Sequence, residues 1–251
     1  MTRPNLRLSV VIPAYNEEEN LKKGVLIPVW NYLRKQNYNW EVIIVDDSST
    51  DKTVLLLEKF INDRHGFRLL KEPHRGKGGT VIAGMLAAKS DVVLFTDMDQ
   101  ATPITEIGKL LPKFPNYDIV IGIRSGRKGA PLSRKIMAYG FSALRRIILG
   151  LPYKDTQCGF KAFKKEAASQ IFKKMKVFND KKLKSKGSSV TAGFDLEILY
   201  LAKKLKLKVA EVEVVWIHKE TKRVSPLKDS FEGLRDLLKV RINAILGKYR
   251  V

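Results

Sequence analysis

The chain of 251 residues has a single cysteine, Cys158. One thiol excludes an intrachain disulfide framework and fits a reducing compartment. Histidine is nearly as scarce: His65, His74 and His218 are scattered and make no metal-ligand spacing. No apolar run of about 18 residues occurs, so no segment reads as a membrane span. The first residues, Met1 to Arg7, lack the apolar stretch of a signal peptide. Acidic residues are also short, 26 against 47 Lys+Arg, which leaves a net charge of +21. Such a field favours polyanions: nucleic acid, anionic lipid headgroups or phosphorylated substrates. Zinc-finger spacing, an aromatic RNA-binding signature and a helix-turn-helix pattern are all missing, so no nucleic-acid partner is expected.

What remains is an ordinary apolar content, 44% of residues, in a chain long enough for one large α/β domain. Buried-strand patterns occur at Leu8–Ile12, ended by Pro13, and at Trp40–Val45, Phe67–Leu70, Val92–Phe95 and Asp118–Ile123. Between them lie helical patterns: Glu17 to Arg34 with a break near Pro28, a stretch through Leu55, Leu56 and Ile61, one carrying Val81, Ile82, Met85 and Leu86, and Thr105 to Lys113. Alternating strands and helices imply right-handed βαβ units and a mostly parallel sheet. The second half reads as a basic loop at Ser125–Pro131, a helix over Ser133–Leu149, a lysine-rich mobile loop over Lys173–Ser189 and a strand over Val209–Ile217. An amphipathic tail over Asp229–Tyr249 closes it, with Phe231, Leu234, Leu237, Leu238, Ile242, Ile245 and Leu246 on one side. Trp40 and Trp216 are assigned to the core.

Polar segments follow three of the strands: Pro13–Glu17, Asp46–Asp51 and Asp97–Gln100. All three can gather at the carboxyl edge of the sheet, where open α/β sheets bind ligands. Asp97-Met98-Asp99 is the most telling. Two carboxylates one residue apart at a strand end can share a hard cation such as Mg²⁺ or Mn²⁺ and leave positions open for phosphate oxygens. Alone, the same step is also an ordinary polar turn. Asp46 and Asp47 can accept from a base N–H or a sugar hydroxyl, or can cap a helix. Arg75 and Lys77, among Gly76, Gly78 and Gly79, suit a phosphate-facing loop at a helix start, although the P-loop spacing is absent. Cys158 reads as a small buried side chain.

Five segments occur in one order: Val10-Val-Ile-Pro-Ala-Tyr-Asn-Glu-Glu18, Val45-Asp-Asp-Ser-Ser-Thr-Asp51, Arg75-Gly-Lys-Gly78, Asp97-Met98-Asp99 and Gln157-Cys-Gly-Phe-Lys161. In that order they resemble family 2 glycosyltransferases. More narrowly they resemble polyprenyl- or dolichyl-phosphate sugar synthases, above all the dolichyl-phosphate glucosyltransferase group, over about Leu8 to Gly247. The resemblance implies a single GT-A domain over 1–251, a Rossmann-like sheet with helices on it. About 1–123 would bind the nucleotide sugar, and about 124–251 the acceptor, ending in the basic tail. It places Pro13, Tyr15 and Glu17 around the base and ribose with Asp46 and Asp47, Arg75 and Lys77 near phosphate, Met98 beside the donor, and a divalent metal on Asp97 and Asp99. Some relatives add a glutamine two residues after the second Asp; here Ala101 holds that place and Gln100 comes one step early.

Arg124 and Arg134 match positions that grip an acceptor phosphate, with Arg127 and Lys128 able to assist. Gln157 falls among the substrate contacts. Asp155 and Asp195 are the acidic candidates for a base or positioning role. A phosphate monoester is already ionised near neutral pH, its second pKa being about 6, so a base is dispensable for such an acceptor. The resemblance implies inverting transfer of a hexose, from UDP-glucose in preference to GDP-mannose, to a polyprenyl or dolichyl phosphate. The site is expected at an anionic membrane surface, on its cytoplasmic face. A saccharide or small-molecule acceptor, or a non-catalytic nucleotide- or nucleic-acid-binding protein, are the competing readings. No oligomeric state is fixed by the sequence.

Overall fold

A computed structural model describes residues 6–124, 132–177, 193–217 and 226–249, with the side chains of 132–139 and 226–231 left aside. The first half runs β1 (Arg7–Ala14), α1 (Glu18–Lys22), α2 (Leu26–Leu33), β2 (Asn39–Asp46), α3 (Thr53–Asn62), β3 (Phe67–Lys71), α4 (Gly76–Ala87) and β4 (Val92–Phe95). Two short 3-10 turns then flank α5 (Ile107–Leu110), and β5 (Ile119–Arg124) follows. The second half adds α6 (Leu132–Leu149), β6 (Lys161–Lys164), α7 (Lys165–Lys174), α8 (Gly193–Lys204), β7 (Val209–Val214) and α9 (Pro226–Ile245).

The seven strands form one sheet in the order β3-β2-β1-β4-β6-β5-β7. Pairing is parallel throughout except at β6, which runs antiparallel between β4 and β5. The strands are apolar on both faces, as a helix-covered sheet requires. Along β1 and β2, Val10, Ile12, Val42 and Ile44 face α2 and α3, and Val11, Ile43 and Val45 face α4. Gly84 sets the spacing on the α4 side: a Cβ there would lie 2.3 Å from the Val11 side chain and 2.8 Å from that of Val45. Gly84→Ala is therefore expected to lower stability by about 1–3 kcal/mol, read as an earlier urea midpoint.

Several expectations change. Pro13 does not end β1; it pairs with Val45 inside the strand. The break in the first helical stretch is at Gly24, whose φ of +72° suits glycine. Pro28 sits in the first turn of α2, where the missing N–H costs no helical bond. In α3 the buried residues are Thr53 and Leu57, whereas Leu55 faces solvent. Gly76–Gly79 are not a loop but the first turn of α4. β6, α7 and α8 were not anticipated; Lys173 and Lys174 close α7, and the rest of the expected mobile loop from residue 178 lies outside the described residues. The tail is helical, but its buried face carries Leu237 and Val240, with Tyr249 beyond its end, while Leu234, Leu238, Ile242, Ile245 and Leu246 are exposed. Trp40 is half-buried against Phe67, and Trp216 stands beside Arg124 rather than in the core.

Candidate active site

The ends of β1 and β2 are stitched together. The Asn16 amide donates to Ser49 Oγ (3.0 Å), Thr50 N–H donates to Asn16 Oδ1 (2.8 Å), Glu17 N–H donates to Thr53 Oγ1 (2.7 Å) and Asp47 N–H donates to the Ala14 carbonyl (2.9 Å). At the adjoining strand end, Thr96 N–H donates to the Val11 carbonyl (3.0 Å). The three polar segments thus lie side by side. Each contains a non-glycine residue in the left-handed region: Asn16 (φ 52°), Ser48 (φ 58°) and Gln100 (φ 51°), three of the four among the described residues. Strained backbone gathers at ligand-binding turns more than elsewhere.

Within this edge, Asp47 is a structural hub. Its carboxylate accepts from the amides of Arg75 (2.7 Å) and Gly76 (2.8 Å), which start α4, and pairs with His74 Nδ1 at 2.9 Å. Asp47 therefore does not cap α3, the helix that follows it, but supports the start of α4. Gly76 meets it with a φ of +72°, a conformation glycine adopts without penalty. Asp46 turns back to accept from the Ser49 amide. Tyr15 stacks on His74, ring centres 4.3 Å apart and 21° from parallel, giving a flat aromatic surface. Glu17 is buried and accepts from Asn20 Nδ2. Arg75 pairs through its guanidinium with Glu72. Met98, expected beside the donor, instead points its side chain into the core.

Beyond β4, Asp97 Oδ1 meets Lys77 Nζ at 2.5 Å. Its other oxygen lies against Gly159, where a Cβ would come within 2.1 Å of Oδ2. Asp99 Oδ1 accepts from Ala101 N–H at 2.9 Å, and Gln100 Nε2 donates to the Asp97 carbonyl at 2.8 Å. The Gln100 side-chain oxygen is buried without a hydrogen-bond partner. Among the described residues, no three His, Cys, Asp or Glu side chains form a metal cage. A divalent cation would have Asp97 and Asp99 as protein carboxylates, with Gln100 Oε1 as the neighbouring spare acceptor. This hard oxygen set, already holding an ammonium group, fits Mg²⁺ or Mn²⁺.

Behind it lies Lys161, fully buried at the start of β6. Its ammonium pairs with Asp195 Oδ1 at 2.6 Å, donates to the Cys158 carbonyl and sits 5.5 Å from the Phe95 ring centre. Burial pushes the Asp195 carboxyl up, against the pull of Lys161 and Lys77. For Lys77, burial acts to lower its pKa, but Asp97, with Asp195 and Asp99 nearby, raises it overall. Lys161 ends the Gln157–Lys161 motif, yet its position there says nothing of burial. The signal that could have drawn attention to it is a lysine at an apolar strand start.

The third group is Arg124, at the end of β5. Its Nε and Nη2 donate to the two oxygens of Asp155 at 2.7 and 2.9 Å. Burial alone would raise the Asp155 carboxyl, but this two-pronged bond outweighs it and holds the pKa at about 2. The Gln157 amide also donates to Asp155 (3.1 Å), leaving the Gln157 side chain exposed. Arg124 lies 5.8 Å from the Trp216 ring centre. Arg145 from α6 secures this loop with bonds to Tyr153 and Lys154 carbonyls and to Thr156 Oγ1. Arg134, Arg127 and Lys128 lie outside the described side chains.

The model for "Glycosyl transferase family 2" matches residues 9–172, a span that includes all three strand-end segments, Arg124 and Asp155. The chain belongs to family 2 of the glycosyltransferases. Dolichyl-phosphate beta-glucosyltransferase of Dictyostelium discoideum is 32% identical over 98% of this chain and 77% of its own length. The enzyme of that name from Homo sapiens is 31% identical over 99% and 79%, and that from Saccharomyces cerevisiae 30% over 97% and 76%. Among solved structures, mannosyl-3-phosphoglycerate synthase of Rubrobacter xylanophilus aligns with a TM-score of 0.67 at 17% identity, over 97% of this chain and 76% of that one. Glucosyl-3-phosphoglycerate synthase of Mycobacterium tuberculosis, in complex with Mn²⁺, UDP and glucosyl-3-phosphoglycerate, aligns at 0.61 and 19% over 94% and 80%. These neighbours share the GT-A fold of this family 2 glycosyltransferase. The reading as a non-catalytic binding protein is set aside.

Proposed function

We propose that this glycosyltransferase moves glucose from UDP-glucose to the phosphate of dolichyl phosphate, or a like polyprenyl phosphate, with inversion at the anomeric carbon. The observation that carries it is the 30–32% identity, over nearly the whole chain, to dolichyl-phosphate beta-glucosyltransferases of three distant organisms. On this reading residues 1–123 hold the donor. The Tyr15–His74 surface takes the base, Pro13, Glu17 and Asp46 shape the ribose pocket with Asp47 holding the turn, and Lys77 faces the diphosphate. Arg75, bound to Glu72, supports that turn. A Mg²⁺ or Mn²⁺ held by Asp97 and Asp99 would supply positive charge for the leaving UDP; Mn²⁺ accompanies UDP in the Mycobacterium neighbour.

Residues from 124 onward hold the acceptor. Arg124, steadied by Asp155, presents its guanidinium to the lipid phosphate, a geometry suited to that group; Arg134 and Gln157 are placed with it. A phosphate oxygen attacks the anomeric carbon, the bond from that carbon to the UDP oxygen breaks, and the β-linked lipid-phosphate sugar leaves with UDP. A carboxylate with a pKa of about 2 is a poor proton acceptor near neutrality. Asp155 thus serves by positioning, and Asp195, bound to Lys161, by holding the floor of the site. This favours an acceptor that arrives ionised over a saccharide hydroxyl.

No helix among the described residues is long and apolar enough to cross a membrane. A lipid acceptor places the reaction at a membrane surface, and one face of the protein suits docking there. α6 and α9, which pack on each other, expose Ile147 (80%) and Ile245 (71%) along with Leu144, Leu238 and Ile242, and Leu246 is exposed just past the end of α9. Arg146, Arg241 and Lys248 are exposed on the same segments. Apolar side chains within a basic surface suit the anionic cytoplasmic leaflet. Replacing both Ile147 and Ile245 with Asp is expected to lower sedimentation with anionic vesicles by tenfold or more, each lost insertion being worth roughly 1.5–3 kcal/mol. UDP binding should be unchanged. Equal vesicle binding would remove this face from the account.

The reaction is tested by supplying UDP-glucose or GDP-mannose with dolichyl phosphate and Mn²⁺ in detergent and scoring glycolipid. Glycolipid from UDP-glucose, lost with chelator, is expected. Glycolipid from GDP-mannose alone would overturn the donor assignment.

A further inference from the structure

The carboxylate that should receive the metal is already bound to a cation of the protein. Lys77 Nζ lies 2.5 Å from Asp97 Oδ1. The other Asp97 oxygen lies against Gly159, and Oδ1 is the oxygen that Lys77 occupies. Asp195 already has Lys161 as its cation and Asp99 is separately bonded to the Ala101 amide. A metal ion and the Lys77 ammonium therefore compete for the same oxygen. A divalent cation and a lysine on one carboxylate oxygen repel each other at short range.

Resting on the donor site proposed above, we infer that Lys77 is an exchangeable counter-cation. In the metal-free protein it neutralises Asp97; when metal and donor enter, it swings to the donor's diphosphate. Its flexible stem at the start of α4 and its compact charge suit such an exchange. Two consequences follow for binding. Metal alone binds weakly, because it must displace Lys77 with nothing to receive the ammonium. Diphosphate receives it, so metal and nucleotide strengthen each other, and by linkage each does so by the same factor.

The experiment is Mn²⁺ binding, followed by electron paramagnetic resonance on the whole chain, with and without UDP. Lys77→Met, Lys77→Gln and Lys77→Arg are compared with the parent, and Lys22→Met, an exposed lysine paired with Glu18, controls for charge loss. Lys77→Met and Lys77→Gln are expected to bind Mn²⁺ alone about tenfold more tightly than the parent, and to show a smaller gain on adding UDP. Lys77→Arg should stay near the parent, and Lys22→Met unchanged. Mn²⁺ binding without UDP that is equal or weaker in both neutral variants overturns the exchange while leaving the metal–donor site standing. Failure of parent and variants alike to bind Mn²⁺, even with UDP, overturns the metal assignment to Asp97 and Asp99 on which it rests.

Discussion

Asp99→Ala is expected to reduce glucosyl transfer by at least 10²–10³-fold, the scale of losing one charge-stabilising group from a transition state. The folded protein and its urea midpoint should change little, because Asp99 is only half-buried and its Oδ1 accepts from the nearby Ala101 amide within the same turn. Asp97→Asn is expected to lose as much activity. It also frees Lys77, but it removes one of the two metal carboxylates, so Mn²⁺ affinity in the presence of UDP is expected to fall. Gly159→Ala should act in the same direction from a distance in sequence, since its methyl group would press on Asp97 Oδ2. Transfer assays with each variant, paired with UDP titrations, separate a lost metal from a lost fold. Wild-type activity in Asp99→Ala would remove the metal from Asp97 and Asp99.

The second large effect is at Arg124. Arg124→Met and Asp155→Asn are each expected to lower kcat/KM for dolichyl phosphate by about 10²-fold or more, and the double variant to do little worse than either, because both remove one unit. UDP binding should survive. Removing one partner of the pair leaves the other poorly compensated, a stability loss of about 3 kcal/mol that should appear in the same samples. The pH dependence follows from the sign of the shift. Asp155 is depressed to about 2 in the folded protein. Its contribution to stability is therefore present above the unfolded value of about 3.9 and is lost as pH falls toward 2. Between pH 5 and 8 it does not titrate. An acid limb in the transfer rate near pH ~6 then belongs to the acceptor phosphate, whose second ionisation lies there. The limb should stay in place in Asp155→Asn, as its residual rate reports.

The sheet was readable because its strands are apolar runs buried on both faces, each followed by a polar segment. Those segments do converge, as the bonds joining Asn16 to Ser49 and Thr50, and Thr96 to Val11, show. β6 escaped notice because Lys161–Lys164 is four residues long with a lysine at each end, a pattern that reads as surface. Its burial is tertiary: Asp195, far along the chain, supplies the charge that lets Lys161 enter the core. The same reason hid the partners of the site residues. Nothing local says that Asp47 would cap α4, that Asp155 would lock Arg124, or that Trp216 would flank it. On α9 the periodicity was correct for a helix but not for its buried face, since an exposed apolar stripe and a core stripe have the same spacing.

The most direct measurement is the product itself. Purified protein, UDP-glucose, Mn²⁺ and dolichyl phosphate should yield one lipid product whose mass exceeds the acceptor by a single hexose, with the sugar on the phosphate oxygen and a β anomeric coupling by NMR. UDP-glucose consumed without sugar reaching the lipid phosphate, or an α-linked product, would contradict the account.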